Sequence, residues 1–316
     1  MHHLGSYTQG AAGALLALLI SATASAELYQ WTDENGRVHF GDRAPDQQQA
    51  QSLTLESQPQ RERFRLQIKS TGFTLSDAAM NRVEQGLAQI HHTYRTTFNL
   101  DVRGVAEVNL YLLADKQRFD AWLEERRPGT PSRPYAGVFL PGENEVGVWA
   151  YGPEEEIVNT ILHESSHVIM FQMAPRAPVW IQEGMAQYFS TIAPTSDGKL
   201  RITPLPHARD LIRTWREEKR LISLRDYLGI SESQWRKLAH QQNAIPYTLA
   251  WALVYFMMSE PVGQQTLRRI LHDLEKSGQW PTLETLDMRY PGGLPQLEYA
   301  FFRWAQGDMP AQILAR

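Results

Sequence analysis

The pentapeptide His163-Glu164-Ser165-Ser166-His167 constrains the fold of this chain more than any other feature of its sequence. Two histidines four positions apart lie on one face of an α-helix, so both imidazoles can bind one metal ion. The sequence favours a helix over about 154–173, because Pro153 precedes three glutamates that suit the positive end of a helix. Glu164 is then rotated by about 100° from His163. Its carboxylate can therefore reach a water at the metal without binding the metal.

A metal centre of this kind needs a third protein ligand. Glu183 provides one on a second predicted helix, about 179–192, which follows a turn marked by Pro175 and Pro178. An antiparallel pair of helices with that connection brings Glu183 beside the two histidines. The chain has no cysteine, so any zinc site must use histidine and carboxylate ligands. The sequence therefore predicts a Zn2+ site at His163, His167 and Glu183.

The combination of H-E-x-x-H with the later W-x-x-E-G-x-A-x-Y, at Trp180–Tyr188, resembles the gluzincin metallopeptidases. These are the thermolysin-like zinc peptidases of clan MA, whose third ligand is a glutamate. The resemblance is strong over about 154–190 and diffuse across the rest of 64–306. It implies zinc ligation by His163, His167 and Glu183, and a water-activating role for Glu164. It also implies hydrolysis of peptide bonds in a peptide or protein substrate.

One position departs from the pattern of these relatives. Many of them carry a carboxylate four residues after the ligand glutamate, where this chain has Gln187. A carboxylate that accepts from a ligand histidine raises the basicity of that ligand, and a glutamine adds no such charge. An enzyme with weaker metal binding or a lower rate is therefore an open alternative.

The rest of a gluzincin-like mechanism would need an oxyanion donor and a surface for the substrate backbone. In gluzincins a downstream tyrosine or histidine often donates to the oxyanion, and Tyr247 is the candidate here, with His207 as a weaker one. The alternative for Tyr247 is a tyrosine that only packs at the start of a helix. Substrates of this fold add as a strand to the edge strand above the metal. Residues 145–151 are the predicted edge, with an ordinary core strand as the alternative.

The N-terminal residues are typical of an exported protein. The apolar run Ala11–Ala24 ends in Ala24-Ser25-Ala26, which predicts a signal peptide over 1–26, although no Lys or Arg precedes the run. The run is too short to span a membrane comfortably. Two β-prone segments around Asn35-Gly36 predict a hairpin domain over 27–44. The sequence ELYQWTDENGRVHFGDRAP resembles a small N-terminal domain that recurs in exported proteobacterial proteins, which implies a periplasmic or secreted location.

The order of predicted elements indicates an α+β fold. A Gln- and Pro-containing linker over 45–64 leads into a zincin-like metallopeptidase domain over 65–310, with a small mixed sheet, the metal-binding helix and a mostly helical C-terminal part. The predicted strands are 65–69, 105–113, 137–140 and 145–151. The predicted helices other than the two above are 76–97, 115–126, 205–219, 231–241, 246–259, 262–276 and 293–306.

Composition excludes one class of partner and leaves a competing function open. A formal net charge of −4 and scattered basic residues predict no nucleic-acid partner. The competing function is a catalytically silent protein of the same fold that binds an envelope or cell-wall partner. Glu164 argues against it, because a structural zinc site has no use for a base. A third possibility is an amide substrate such as the stem peptides of peptidoglycan.

Overall fold

The computed structural model describes residues 28–32, 38–41, 51–53, 64–100, 106–130, 136–205, 208–220, 222–242, 245–277 and 283–314. The predicted signal peptide, the Asn35-Gly36 turn and His207 lie outside these residues. The chain divides into two compact units, residues 1–61 and residues 62–316. In the described part of the chain, no helix has the length and apolar character needed to cross a membrane.

The N-terminal unit contains a three-stranded antiparallel sheet. Its strands are β1 (Leu28–Thr32), β2 (Val38–Gly41) and β3 (Gln51–Leu53), in the order β2-β1-β3. The first two are the hairpin strands that the sequence predicts, and they pair from Tyr29 with Gly41 to Thr32 with Val38. The third strand, β3, lies inside the range predicted as a linker, 45–64. Its three residues pair with β1.

The larger unit is α+β, mostly helical with small sheets. Its main sheet consists of β4 (Phe64–Thr71), β5 (Ala106–Leu113), β6 (Gly137–Leu140) and β7 (Glu145–Trp149), in the order β4-β5-β7-β6. β4, β5 and β7 are parallel, and β6 runs antiparallel to β7. All four strands occur where the sequence predicts them, so the small mixed sheet is confirmed.

The prediction that residues 145–151 form the edge strand is wrong. β7 pairs with β5 on one side and with β6 on the other, and its Val146 and Val148 are fully buried. The edge strand is β6, which pairs with β7 alone among the strands of the described residues.

The predicted helices are confirmed with shifts of a few residues at their ends. They are α1 (Asp77–Thr96), α2 (Lys116–Arg126), α3 (Glu154–Met173), α4 (Val179–Ser190), α5 (Ala208–Glu217), α7 (Glu232–Gln242), α8 (Ile245–Ser259), α9 (Pro261–Ser277) and α11 (Gly293–Gln306). Two further short helices, α6 (Leu224–Gly229) and α10 (Leu283–Arg289), are not predicted by the sequence. Ser76 caps the start of α1, because its hydroxyl accepts from the Ala79 N–H.

A second small antiparallel sheet was also not predicted. It consists of β8 (Ile192–Pro194), β9 (Leu200–Ile202) and β10 (Gln312–Leu314), in the order β10-β9-β8. The Gln312 side chain holds the last strand in place, since it accepts from the Tyr188 hydroxyl and donates to the Tyr255 carbonyl.

The core of the larger unit forms around α3, α4 and α8. α3 packs against the main sheet on one side and against α4 on the other, and α4 packs against α8. α8 is apolar over almost its whole length and is buried from Ile245 to Met258 except at Tyr247. This layering fixes the positions of the two helices that carry the predicted metal ligands.

Candidate metal centre

α3 is anchored at its first turn and along its back. The Glu154 carboxylate accepts from the backbone N–H and the hydroxyl of Ser76, at 2.7 and 2.6 Å, and so joins the start of α3 to the start of α1. Ile161 and Val168 on the same helix are fully buried. Burial of that side leaves His163 and His167 on another face of the helix, where both are only partly exposed.

Gly184 places Glu183 by allowing α4 to approach α8 closely. A Cβ atom at Gly184 would lie 2.5 Å from the Ala250 carbonyl oxygen and 2.6 Å from Val254 Cγ2. These separations are shorter than van der Waals contact, so only glycine fits at this crossing. Glu183, the candidate ligand, is therefore followed directly by the glycine that lets its helix pack closely on α8.

The three predicted ligands converge. His163 Nε2 lies 3.2 Å from His167 Nε2, and Glu183 Oε2 lies 3.6 Å from the first nitrogen and 3.8 Å from the second. A tetrahedral zinc with bonds of about 2.1 Å holds its ligand atoms about 3.4 Å apart, close to these separations. A point equidistant from the three atoms is about 2 Å from each, as zinc requires. Within the described residues, these three side chains form the group with the spacing of a metal site.

The protonation of the two histidines suits a metal ion. Burial lowers the pKa of His163 to about 4 and the pKa of His167 well below its usual value, to which the neighbouring His163 also contributes. Both imidazoles are therefore neutral near pH 7 and have a lone pair free for a metal. Two neutral imidazoles with one carboxylate are one of the donor sets that hold catalytic zinc in proteins.

The pKa values of the acidic groups in the site shift in the opposite direction, above their usual values. Burial raises the pKa of Glu183 to about 7, and the positive charge of Arg236 opposes that rise. Burial, followed by the charge of Glu183, raises the pKa of Glu164 to about 8. The Phe139 backbone N–H donates to the Glu164 carboxylate and partly offsets this rise. Phe139 belongs to β6, so the edge strand lies directly beside the predicted base.

Arg82 connects α3 and α4, the two helices that carry the predicted ligands, through hydrogen bonds. Its guanidinium donates to Asn159 Oδ1 on α3 at 2.6 Å, to the Ser190 carbonyl at the end of α4 at 3.2 Å and to the Ile192 carbonyl at 2.7 Å. A bidentate, planar donor can satisfy carbonyls from different elements at once. No local pattern in the sequence predicts this role, because the three acceptors lie far from Arg82 along the chain.

A cavity of about 470 Å3 opens beside the predicted metal ligands. His163 and Glu164 line it, together with Gly137 from the edge strand. Gln187, the residue that departs from the pattern of the relatives, also lines this cavity. The effect of Gln187 on metal affinity stays a prediction.

Tyr247 lies on α8 and is partly exposed. Its ring packs edge-on against Trp235, with the centroids 4.7 Å apart. The charges of Tyr247 and Glu183 both raise the pKa of Arg236, so the three side chains lie near one another. The role of Tyr247 as an oxyanion donor stays a prediction, and Arg236 is an additional charged neighbour of the ligand that the sequence did not single out.

Two family models match parts of the chain. Residues 15–63 match a domain of unknown function (DUF4124), and residues 157–277 match a protein of unknown function (DUF1570). The second match includes His163, Glu164, His167, Glu183 and Tyr247, and neither family description carries an activity. The comparison with curated proteins found no match.

Proposed function

We propose that this chain is a zinc-dependent peptidase of the gluzincin type, with a zincin-like larger domain. The observation that carries the proposal is the convergence of His163, His167 and Glu183 at separations of 3.2 to 3.8 Å, with the Glu164 carboxylate in the adjoining cavity. Glu164 is not needed to complete a closed structural site. A base beside three ligands is the arrangement of a catalytic centre, in which one position stays open.

Zinc bound at these ligands would polarise a substrate carbonyl and make a water more acidic. The remaining chemistry belongs to the chain. Glu164 accepts the proton of the attacking water and passes it to the leaving amine. Its raised pKa, about 8 in the metal-free protein, shows how strongly its surroundings favour the protonated form. The positive charge of a bound metal would lower that pKa toward the value that a general base needs near neutral pH.

The edge strand supports a peptide as substrate. Within the part of the chain that the structure describes, β6 pairs only with β7, so an extended peptide can add to its other side through backbone hydrogen bonds. The Phe139 N–H reaches Glu164 from this strand. A peptide bound along β6 would therefore pass its backbone next to the base and the ligands.

Export and an envelope-associated substrate are part of the proposal. They are supported by the apolar run that ends in Ala24-Ser25-Ala26 and by the resemblance of the N-terminal segment to a domain of exported proteobacterial proteins. We propose a periplasmic or secreted location on these grounds.

A silent binding protein of the same fold is the second candidate function. Gln187 favours it, because the chain has no charged partner at this position to increase the basicity of a ligand histidine. Glu164 favours the enzyme, since a carboxylate that is costly to bury has no evident structural role in the site.

The test compares the parent protein with Glu164→Gln and with Glu125→Gln, an exposed glutamate on α2 that serves as a matched control. We expect the parent and the control to cleave an unstructured protein such as reduced casein. Glu164→Gln should retain about one zinc per chain and lose cleavage by a factor of at least about 100. Cleavage by Glu164→Gln at the parent rate would contradict the mechanism. Zinc binding without cleavage by any of the three proteins would favour the binding protein.

A further inference from the structure

The cavity beside Glu164 has a chemical character that points to a substrate class. We propose that it receives the side chain next to the cleaved bond, and that it selects a long cationic side chain of the lysine or arginine type. The inference rests on the proposed function for its catalytic context.

The position of the cavity follows from its walls. His163 and Glu164 form one part of the lining and Gly137 of the edge strand another. A Cβ atom at Gly137 would lie 2.8 Å from Thr160 Cγ2 and 3.2 Å from Glu164 Cγ, so the strand passes close over α3. A peptide added to this strand would therefore direct a side chain near its reacting bond into the cavity.

The hydroxyl groups of the lining present acceptors to the cavity. Tyr151 donates to the Glu156 carbonyl at 2.9 Å, so in its 2.8 Å pair with Thr160 the threonine hydroxyl is the donor. The Ser190 hydroxyl donates to the Gln187 carbonyl at 2.8 Å. The hydroxyl protons of Tyr151, Thr160 and Ser190 are thus all donated to other groups of the protein. What these hydroxyls can offer a ligand is the lone pairs of their oxygen atoms.

The charge of the lining has the same preference. The described lining residues include the exposed Glu156 carboxylate and no lysine or arginine. Arg82, the cation bound to the lining residue Asn159, donates also to the carbonyls of Ser190 and Ile192. A ligand with several N–H donors and a positive charge matches these hydroxyl oxygens and the Glu156 carboxylate.

The size and the apolar surface of the cavity suit a long side chain. Ala136, Leu205 and the Tyr151 side chain contribute to the lining, and the volume is about 470 Å3. Lysine and arginine place their methylene stems on apolar surface while the charged end reaches polar groups. The exposed Glu156 carboxylate is the group of the lining that a terminal cation can pair with.

The first experiment digests a library of denatured proteins with the zinc-loaded parent and reads the cleavage sites by mass spectrometry. We expect lysine and arginine to be enriched at one position flanking the cleaved bond. Cleavage with no enrichment there, or with apolar or acidic residues enriched, overturns this inference and leaves the peptidase intact. Absence of any cleavage defeats the proposed function instead, and the second experiment then decides this inference alone.

The second experiment measures binding without turnover. Glu164→Gln protein is titrated by calorimetry with two sets of short capped peptides, identical except for one lysine or one norleucine, which has the same stem without the ammonium group. We expect the lysine peptides to bind about tenfold tighter, the scale of one hydrogen-bonded charge. Equal affinities for the two sets overturn the inference.

Two added substitutions locate the selectivity in the cavity. Adding Glu156→Gln should reduce the lysine-to-norleucine ratio to about threefold or less, because a rim carboxylate at an exposed position is partly screened. Adding Glu155→Gln, the same charge change one residue earlier and outside the lining, should leave the ratio near its starting value. An equal loss in both would assign the preference to the general field of the helix start and would overturn the cavity as its source.

Discussion

Gly184→Ala tests the packing that places the third ligand. In an exposed helix interior this substitution stabilises a protein by about 0.5–1 kcal/mol, because alanine has less freedom to lose on folding. At Gly184 the new Cβ would meet the Ala250 carbonyl oxygen at 2.5 Å and the Ala250 carbonyl carbon at 2.9 Å. Both atoms belong to the backbone of α8, so they cannot move aside as a side chain can. Overpacking of this kind costs about 1–3 kcal/mol, and a helix shift adds to the loss.

We therefore expect Gly184→Ala to lower the free energy of unfolding by about 1–3 kcal/mol, opposite in sign to the usual effect of this substitution. The assay is urea unfolding followed by tryptophan fluorescence in the metal-free protein, together with a zinc titration. Zinc affinity should fall by about tenfold or more, because a shift of α4 carries Glu183 away from the histidines.

Gly86→Ala is the matched control. Its Cβ would meet the side-chain atoms Leu162 Cδ2 at 2.6 Å and Ile192 Cγ2 at 3.0 Å, which can rotate away. It should cost less stability than Gly184→Ala and leave zinc affinity close to that of the parent. A Gly184→Ala protein that is as stable as the parent and binds zinc equally well would refute the reasoning.

Two further predictions concern the surroundings of the site. Arg82→Met should lower the free energy of unfolding by about 2–4 kcal/mol, since two backbone carbonyls and Asn159 Oδ1 lose their donor. Urea unfolding of the variant measures this change, and a difference from the parent of less than about 0.5 kcal/mol would contradict the prediction. In the metal-free protein, the pKa of Glu164 is raised to about 8, whereas in the unfolded chain it is about 4.3. The contribution of Glu164 to the free energy of unfolding is therefore fully present below about pH 4.3 and is lost as the pH rises to about 8, because the carboxyl group ionises more easily in the unfolded chain. Glu164→Gln should therefore gain stability relative to the parent between pH 5 and pH 9, by on the order of 2–4 kcal/mol, and a difference independent of pH would contradict the assignment.

The sequence predicted the helices of the candidate metal centre well, because its signals there are local. Pro153 and the three glutamates after it fix the start of α3, and the predicted range of 154–173 is the observed one. The spacing of His163 and His167 within one helix leaves little freedom for their relative position. Glu183 was predicted as the third ligand from the turn between the two helices and from the resemblance to gluzincins. The structure brings its carboxylate beside both histidines.

The errors arose where pairing between distant residues decides the structure. The predicted strands 137–140 and 145–151 lie only a short turn apart, but their sequences do not say which of the two joins the parallel part of the sheet. β5 pairs with β7, and this leaves β6 as the edge. The strands β8 and β10 have three residues each, too few for a periodic signal, and they depend on β9 and on the Gln312 side chain.

The interactions around the ligands were also beyond the sequence. Arg82 contacts Ser190 and Ile192 across a separation of more than a hundred residues. The Phe139 N–H reaches Glu164 through its backbone, which no residue pattern records. Such contacts follow from how the elements pack and not from the identity of the residues alone.

Zinc content is the most direct test of the central claim that His163, His167 and Glu183 form one metal site. Elemental analysis would be run on the purified parent, on His163→Ala, His167→Ala and Glu183→Ala, and on His92→Ala as a control histidine on α1. We predict about one zinc per chain in the parent and in the control, with loss of the metal from the other three variants. A folded parent without zinc, or zinc retained in full when any one of the three ligands is removed, would contradict the account.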